Sequence, residues 1–446
     1  MQPTASTTSP NVAHSSQATT EHVPSDTTTE ELYSPRNFFV LAGYQIAMRT
    51  GWIFKTESVI MPAVLDFVAG AGWIRGFLPL LNRFGHSVPP LLLARRVKNS
   101  PQKKWIFCLT TTFVAALMLA MAALFTFEER PVSWWVPTAF LLFYTTFFVC
   151  IGVNHLAFNT LQGKLIKTTR RGRLLLLANV VGATTAVLCA FFLLPLWLDA
   201  ESPRFDLLFG MAGGMFAVSA MLAALLVERR DYHREAATSV SRVFVDTATL
   251  LRRNVQFRRL AFVGAMFGAS MMLFPHYQSL GLQEMHLDLK NLMWWVVIQN
   301  VGTGLFSVPA GIVADRRGNL IVLQVALLGI AAAPIAALLL RHANVGAWFC
   351  LVFPLVGLTP VVIRTLQNFT LEICVPADHP RYLSTMGLCV SLPLFLSPVV
   401  GLLIDLIGFE IVFIGICVVV LVGWLTTLRL REPRDHVSVS FLQTSD

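Results

Sequence analysis

The stretch GIVADRRGN, Gly311 to Asn319, sets an acid and two arginines between two long apolar runs. A catalytic or metal cluster, an ordinary charged loop and a hinge between two membrane helices would each account for it. The flanking residues decide. Residues 291–314 and 319–340 contain no Asp, Glu, Lys or Arg, and each run exceeds the roughly 20 apolar residues that carry a helix across a bilayer.

The same pattern recurs along the chain. With a window near 19 residues, spans are expected at 37–63, 71–94, 105–126, 134–159, 174–197 and 207–227. Six more are expected at 260–280, 291–314, 319–340, 346–372, 383–406 and 410–430. Composition agrees: 55% of the residues are hydrophobic and 13% charged, whereas a soluble domain carries about 25% charged residues. The expected fold is an all-α integral membrane protein with twelve transmembrane helices in two six-helix halves.

The net charge of +9 would suit a nucleic-acid partner, but the placement of the basic residues excludes that reading. With the N-terminus inside, 25 of the 34 Lys and Arg residues fall in inner segments and 4 in outer loops. That bias follows the positive-inside rule, so both termini are expected in the cytoplasm and the chain in the plasma or inner membrane. Residues 1–35, rich in Ser, Thr and Pro, read as a disordered tail without a secretory signal, so the first span is expected to act as the insertion signal. The remaining organisation is a bundle at 36–228, a basic central loop at 229–258, a second bundle at 259–431 and a tail at 432–446. In the central loop Phe244, Ala248, Leu251 and Val255 share a helical face beside several arginines, which suits either a helix lying on anionic lipid or a solvated linker with a chance stripe.

The motif Gly311-x-x-x-Asp315-Arg316-x-Gly318 resembles the signature loop of the major facilitator superfamily, Gly-x-x-x-Asp-Arg-x-Gly-Arg-Arg, departing from it at Asn319-Leu320. The superfamily repeats this loop half a chain earlier. There this sequence reads PPLLLARRVKNSPQKK, Pro89 to Lys104, with Pro90 for the Gly, Ala94 for the Asp and Arg95 retained. Ala94 and Asp315 are 221 residues apart, close to half of 446, as an internal repeat requires. Arg171-Gly172-Arg173 also looks like the superfamily's loop at that place. The resemblance implies two pseudo-symmetric halves rocking about a midplane site, with spans one, four, seven and ten lining a central cavity. It makes Gly311, Asp315, Arg316, Gly318 and Arg95 gate residues: Gly311 for close helix approach, Asp315 as a cap on the next helix, Arg316 as an ion-pairing group.

Charges inside spans are costly, about 2.5–3.5 kcal/mol each at a helix centre on insertion scales, so they mark a protein or water interior. Span one holds Arg49, Lys55 and Glu57, with Gln45, Arg49, Trp52 and Thr56 on one helical face. Span four adds Asn154 and His155, span seven His276 and Tyr277, and span ten Arg364, Gln367, Asn368 and Glu372. Arg75, Asn82 and His86 form a stripe on span two with Arg83 beside it. Arg49, Gln45, Trp52, Asn154, Arg364, Gln367 and Asn368 are the candidate substrate-binding residues, and Glu57 the candidate for proton coupling. Arg49 could instead pair with Glu57, and Arg364 with Glu372. Two arginines facing one cavity would favour a carboxylate or phosphate.

The seven cysteines lie in or beside apolar runs without a CxxC pair, and no metal-ligand spacing, nucleotide loop or nucleophile motif is present. No cofactor, metal or enzymatic activity is expected. Span five lacks the Gly-Pro-x-x-Gly-Gly signature of drug–proton antiporters. The expectation is a monomeric, gradient-driven transporter of a small polar or anionic organic solute, with membrane lipids as its other partner. The alternative is a membrane receptor or scaffold that keeps the fold without transport.

Overall fold

The computed structural model describes residues 35–127, 133–198, 203–230, 240–375 and 378–433; among these there is no strand. The expected tails fall almost wholly outside them. The first span is α1 (Pro35–Ile53) followed by an unwound turn and α2 (Ile60–Val68), and the second is α3 (Gly72–Arg75) with α4 (Phe77–Lys98). Spans three to six are α5 (Lys103–Phe127), α6 (Val136–Leu165), α7 (Thr168–Trp197) and α8 (Phe205–Ala224). After α9 (Val240–Arg253), span seven runs through α10 (Val255–Ser270) and α11 (Phe274–Ser279); spans eight and nine are α12 (Asn291–Arg317) and α13 (Asn319–His342). Span ten comprises α14 (Val352–Val356) and α15 (Thr359–Ile373), span eleven α16 (His379–Ser391) and α17 (Ser397–Ile407), and span twelve α18 (Phe409–Thr427). Ten of these passages are long and apolar enough to cross a membrane. The first two fall short of that measure because they carry the charges and the breaks, and they are shielded by packing: α1 lies against α7 and α8, and α4 against α6.

Each six-helix half is tied at its basic end by a carboxylate that follows its last span. Glu228, after α8, accepts from the Lys104 backbone N–H at 2.8 Å and from Lys164 Nζ at 3.1 Å, joining the start of α5 to the end of α6. Glu432, after α18, accepts from the Leu320 N–H at 2.9 Å in the first turn of α13. Unpaired N–H groups and the helix dipole both favour an anion there. Asp315 was expected to cap that helix, but Glu432, which the sequence placed in the C-terminal tail, takes the position. Gly318 turns α12 into α13 at φ +89°, a conformation that L side chains resist, and Gly408 turns α17 into α18 at φ +86°.

The interior of the first half is pinned by Asn154 on α6. Its Oδ1 accepts from Tyr44 of α1 at 2.8 Å, and its amide reaches Thr111 at 2.8 Å and Thr110 at 3.0 Å on α5. Of the stripe read on the basic linker, Ala248 and Val255 are exposed and Leu251 is half-buried. Helix α9 packs on α10 and α16, burying Leu250, and the Thr247 and Thr385 hydroxyls meet at 3.2 Å. Asn254 then ends it and caps α10 by accepting from the Phe257 N–H, so Val255 belongs to another helix; the Phe244 side chain lies outside the described residues.

The two halves meet at the end of the bundle remote from the basic segments. Asp405, at the end of α17, accepts from the Gly72 and Trp73 N–H groups at 3.0 and 3.1 Å, capping α3 across the interface. Asp66 pairs with Arg75 and accepts from Gln278 of α11 at 2.7 Å, and Ser58 donates to Gln299 of α12 at 2.7 Å. Phe191 of α7 stacks edge-on against Trp294 of α12. Towards the basic end of the same two helices a Cβ at Gly172 or Gly311 would meet nothing within 4 Å, and Asp315, Arg316 and Arg317 are exposed. The close approach expected at Gly311 is therefore absent here.

Two outcomes follow. A Cβ at Gly401 would lie 2.1 Å from the Gly72 carbonyl oxygen, so Gly401→Val should wedge the closed end apart. A cysteine introduced at buried Ser58 should then react at least about tenfold faster with an impermeant thiol reagent; an unchanged rate would contradict the closure described here. Asn154→Ala removes bonds worth roughly 0.6 kcal/mol each in membrane bundles, so thermal unfolding in detergent should show a loss of about 2 kcal/mol.

Candidate functional site

Span one is helical to Ile53 and unwinds through 54–59 before α2 begins. Thr56 organises the turn: its hydroxyl donates to the Ile53 carbonyl at 2.7 Å and its own carbonyl accepts from Ile60 N at 2.9 Å. Residues two apart do not face each other on a regular helix; unwinding lets Lys55 Nζ reach Glu57 Oε1 at 2.8 Å. Lys55 is fully buried, 3.2 Å from the Trp52 ring centroid, with Phe147 and Phe148 at 4.6 and 4.5 Å. Such a three-ring enclosure is a strong cation–π site. The other oxygen of Glu57 accepts from Asn82 of α4, whose side-chain oxygen is 3.1 Å from His86 Nδ1. Arg49 therefore does not pair with Glu57. It donates to Asn179 of α7 at 2.8 Å.

A cavity of about 610 Å³ lies between the halves. The face read from span one, Gln45, Arg49, Trp52 and Thr56, lines it, together with Glu57. From the other half Arg364 reaches the same space, close enough to Arg49 for the two charges to repel. Among the described residues neither guanidinium has a carboxylate partner, and Gln45 Nε2 is buried without one. Glu372, the alternative partner for Arg364, accepts instead from Asn319 at 3.0 Å. The arrangement is a cationic, hydrogen-bonding chamber with a thioether and aromatic wall, including Met48, Phe158, Met271 and Phe274.

Other expected residues fall elsewhere. Asn154 touches the cavity wall, but its amide is engaged by Tyr44, Thr110 and Thr111. Gln367 and Asn368 are exposed and outside the cavity lining. His276 is fully buried, and span seven lines the cavity with Met271 and Phe274 instead. The Arg95 side chain lies outside the described residues. Sequence reading missed Asn179 on span five and Gln299, Asn300 and Thr303 on span eight, all of which line the cavity. Their signal was present as polar residues inside apolar runs, but spans five and eight were not assigned to the lining.

The Major Facilitator Superfamily model matches residues 260–444. Among solved structures, a POT family transporter in complex with 5-aminolevulinic acid is similar over 88% of this chain and 96% of that one, at 13% identity and TM-score 0.68. A mutant of the nucleoside transporter NupG is similar over 88% and 98%, at 13% identity and TM-score 0.66. A D-xylose-proton symporter is similar over 89% and 99%, at 14% identity and TM-score 0.65. No curated protein matches the chain in sequence. The fold is shared over nearly the whole described chain, and the sequence of residues 260–444 is similar to the Major Facilitator Superfamily.

Proposed function

We propose that the protein is a secondary transporter carrying a small organic anion by alternating access. The observation that carries the reading is the pair Arg49 and Arg364, which the two halves contribute to one interdomain cavity with no carboxylate partner for either among the described residues. A planar guanidinium suits a carboxylate or phosphate, which would complete the site. Gln45 Nε2, Asn179 and the polar residues of α12 supply further contacts. The proteins of similar fold are transporters of nucleosides, peptides and D-xylose by their descriptions, which supports a small solute.

With the basic end in the cytoplasm, the conformation is open inward and sealed outward by Asp405, Asp66 and Ser58. Opening the outer end breaks those contacts; closing the inner end brings α7 and α12 together near Asp315 and Arg316, the proposed inner latch. Glu57 is the proposed proton site. Its carboxylate is 26% exposed to the cavity that holds the arginines. A proton bound there removes a negative charge beside the bound anion, so each ligand strengthens the binding of the other.

The test uses purified protein in liposomes under an inward proton gradient, with labelled organic anions and matched neutral solutes. Wild type should accumulate an anion. Arg49→Gln and Arg364→Gln should each weaken uptake roughly 10–100-fold, the loss of one charge-assisted contact of about 1.5–3 kcal/mol, with the protein folded and inserted. Undiminished uptake in both variants would sink the assignment. Ala94, standing where the signature's acid belongs, favours the scaffold alternative; a scaffold would show one fixed pattern of cysteine accessibility at the two cavity ends, whereas a transporter alternates.

A further inference from the structure

The charges around the cavity do not balance. Glu57 is the one carboxylate among the lining residues, set against Arg49 and Arg364. Lys55 bonds directly to Glu57, yet the three rings seal its ammonium away from the cavity, so it cannot itself touch a solute. Arg83, on α4, acts on the same carboxylate from a half-buried position 3.4 Å from the Met271 sulfur. A buried ion pair seldom stabilises a protein relative to apolar residues of similar volume, so stability alone gives little reason to keep Lys55. Its effect on the cavity is electrostatic. In a low-dielectric interior a charge is felt well beyond contact distance.

We infer that Lys55 is a charge-selectivity determinant: by neutralising Glu57 from behind, it keeps the cavity cationic and biases it towards anions over cations and zwitterions. The inference rests on the anionic-solute reading for its biological meaning, but not for its test. The unwound turn at 54–59 is what makes the arrangement available, since it brings residues 55 and 57 to the same side while only Glu57 faces the cavity.

The test reads the cavity potential without a transported solute. In a variant whose seven native cysteines are replaced by serine or alanine, Asn300→Cys places a single thiol in the cavity wall. Its reaction rates are measured with anionic sulfonatoethyl and cationic trimethylammonioethyl methanethiosulfonate, reagents of similar size. The anionic-to-cationic ratio should fall about tenfold in Lys55→Met, a shift of roughly 1.4 kcal/mol. It should be held in Lys55→Arg, return in Lys55→Met/Glu57→Gln and rise in Glu57→Gln. A folded Lys55→Met with an unchanged ratio would overturn the inference, as would a double variant no different from the single. Should Lys55→Met fail to fold, Glu57→Gln decides: a raised ratio supports the inference and an unchanged one overturns it. Absence of flux in liposomes overturns transport and leaves this result standing. Arg49-dependent flux with an unchanged ratio overturns only the role of Lys55.

Discussion

Every ionised group inside the bilayer has to be met by the protein, because hydrocarbon offers it nothing. That constraint accounts for most of the polar geometry. Lys55 is met by Glu57 and aromatic faces, Arg75 by Asp66, and Asp405 by two backbone N–H groups. Set against these pairs, Arg49 and Arg364 both line the cavity with no carboxylate partner among the described residues. These two are the residues on which the proposed anion site rests.

The pairs also divide by position. Asp405 with the Gly72 and Trp73 N–H groups, Asp66 with Gln278 and Ser58 with Gln299 join one half of the molecule to the other at the closed end, so they hold a conformation. Those at the basic end, Glu228 with Lys104 and Lys164 and Glu432 with Leu320, stay within a half. Rigid halves with exchangeable contacts between them are the mechanical requirement for rocking about a central site. Gly72 and Gly401 refine this at the closed end: their backbones approach too closely for any Cβ, so the seal depends on main-chain fit as much as on charge.

Much of the site could be read from the chain. The spacing of Gln45, Arg49 and Trp52 puts them on one face of α1, and that face lines the cavity; Thr56 joins them from the unwound turn. The signature motif was a poorer guide to contacts. It pointed to Asp315 as a cap and Gly311 as a close approach, whereas Glu432 caps α13 and Gly311 faces open space. Internal symmetry is clearer in the contacts than in the motif: Glu228 and Glu432 do the same work in each half, although nothing in their local sequence announces it.

By itself the sequence determined the membrane class, the helical passages, the end that gathers the basic residues and the inward face of the first span. These depend on composition and on spacings of three, four or about twenty residues, all local. Tertiary structure decided which charges meet a carboxylate and which, among the described residues, do not. Gly72 and Asp405 are 333 residues apart, and only the packing of α3 on α17 makes them partners. Lys55 and Glu57 are two apart, yet their pairing depends on a helix that ends before both of them and on three aromatic rings that close around the lysine. Electrostatic partnership is a matter of distance in space, and periodicity fixes that distance only within an unbroken helix.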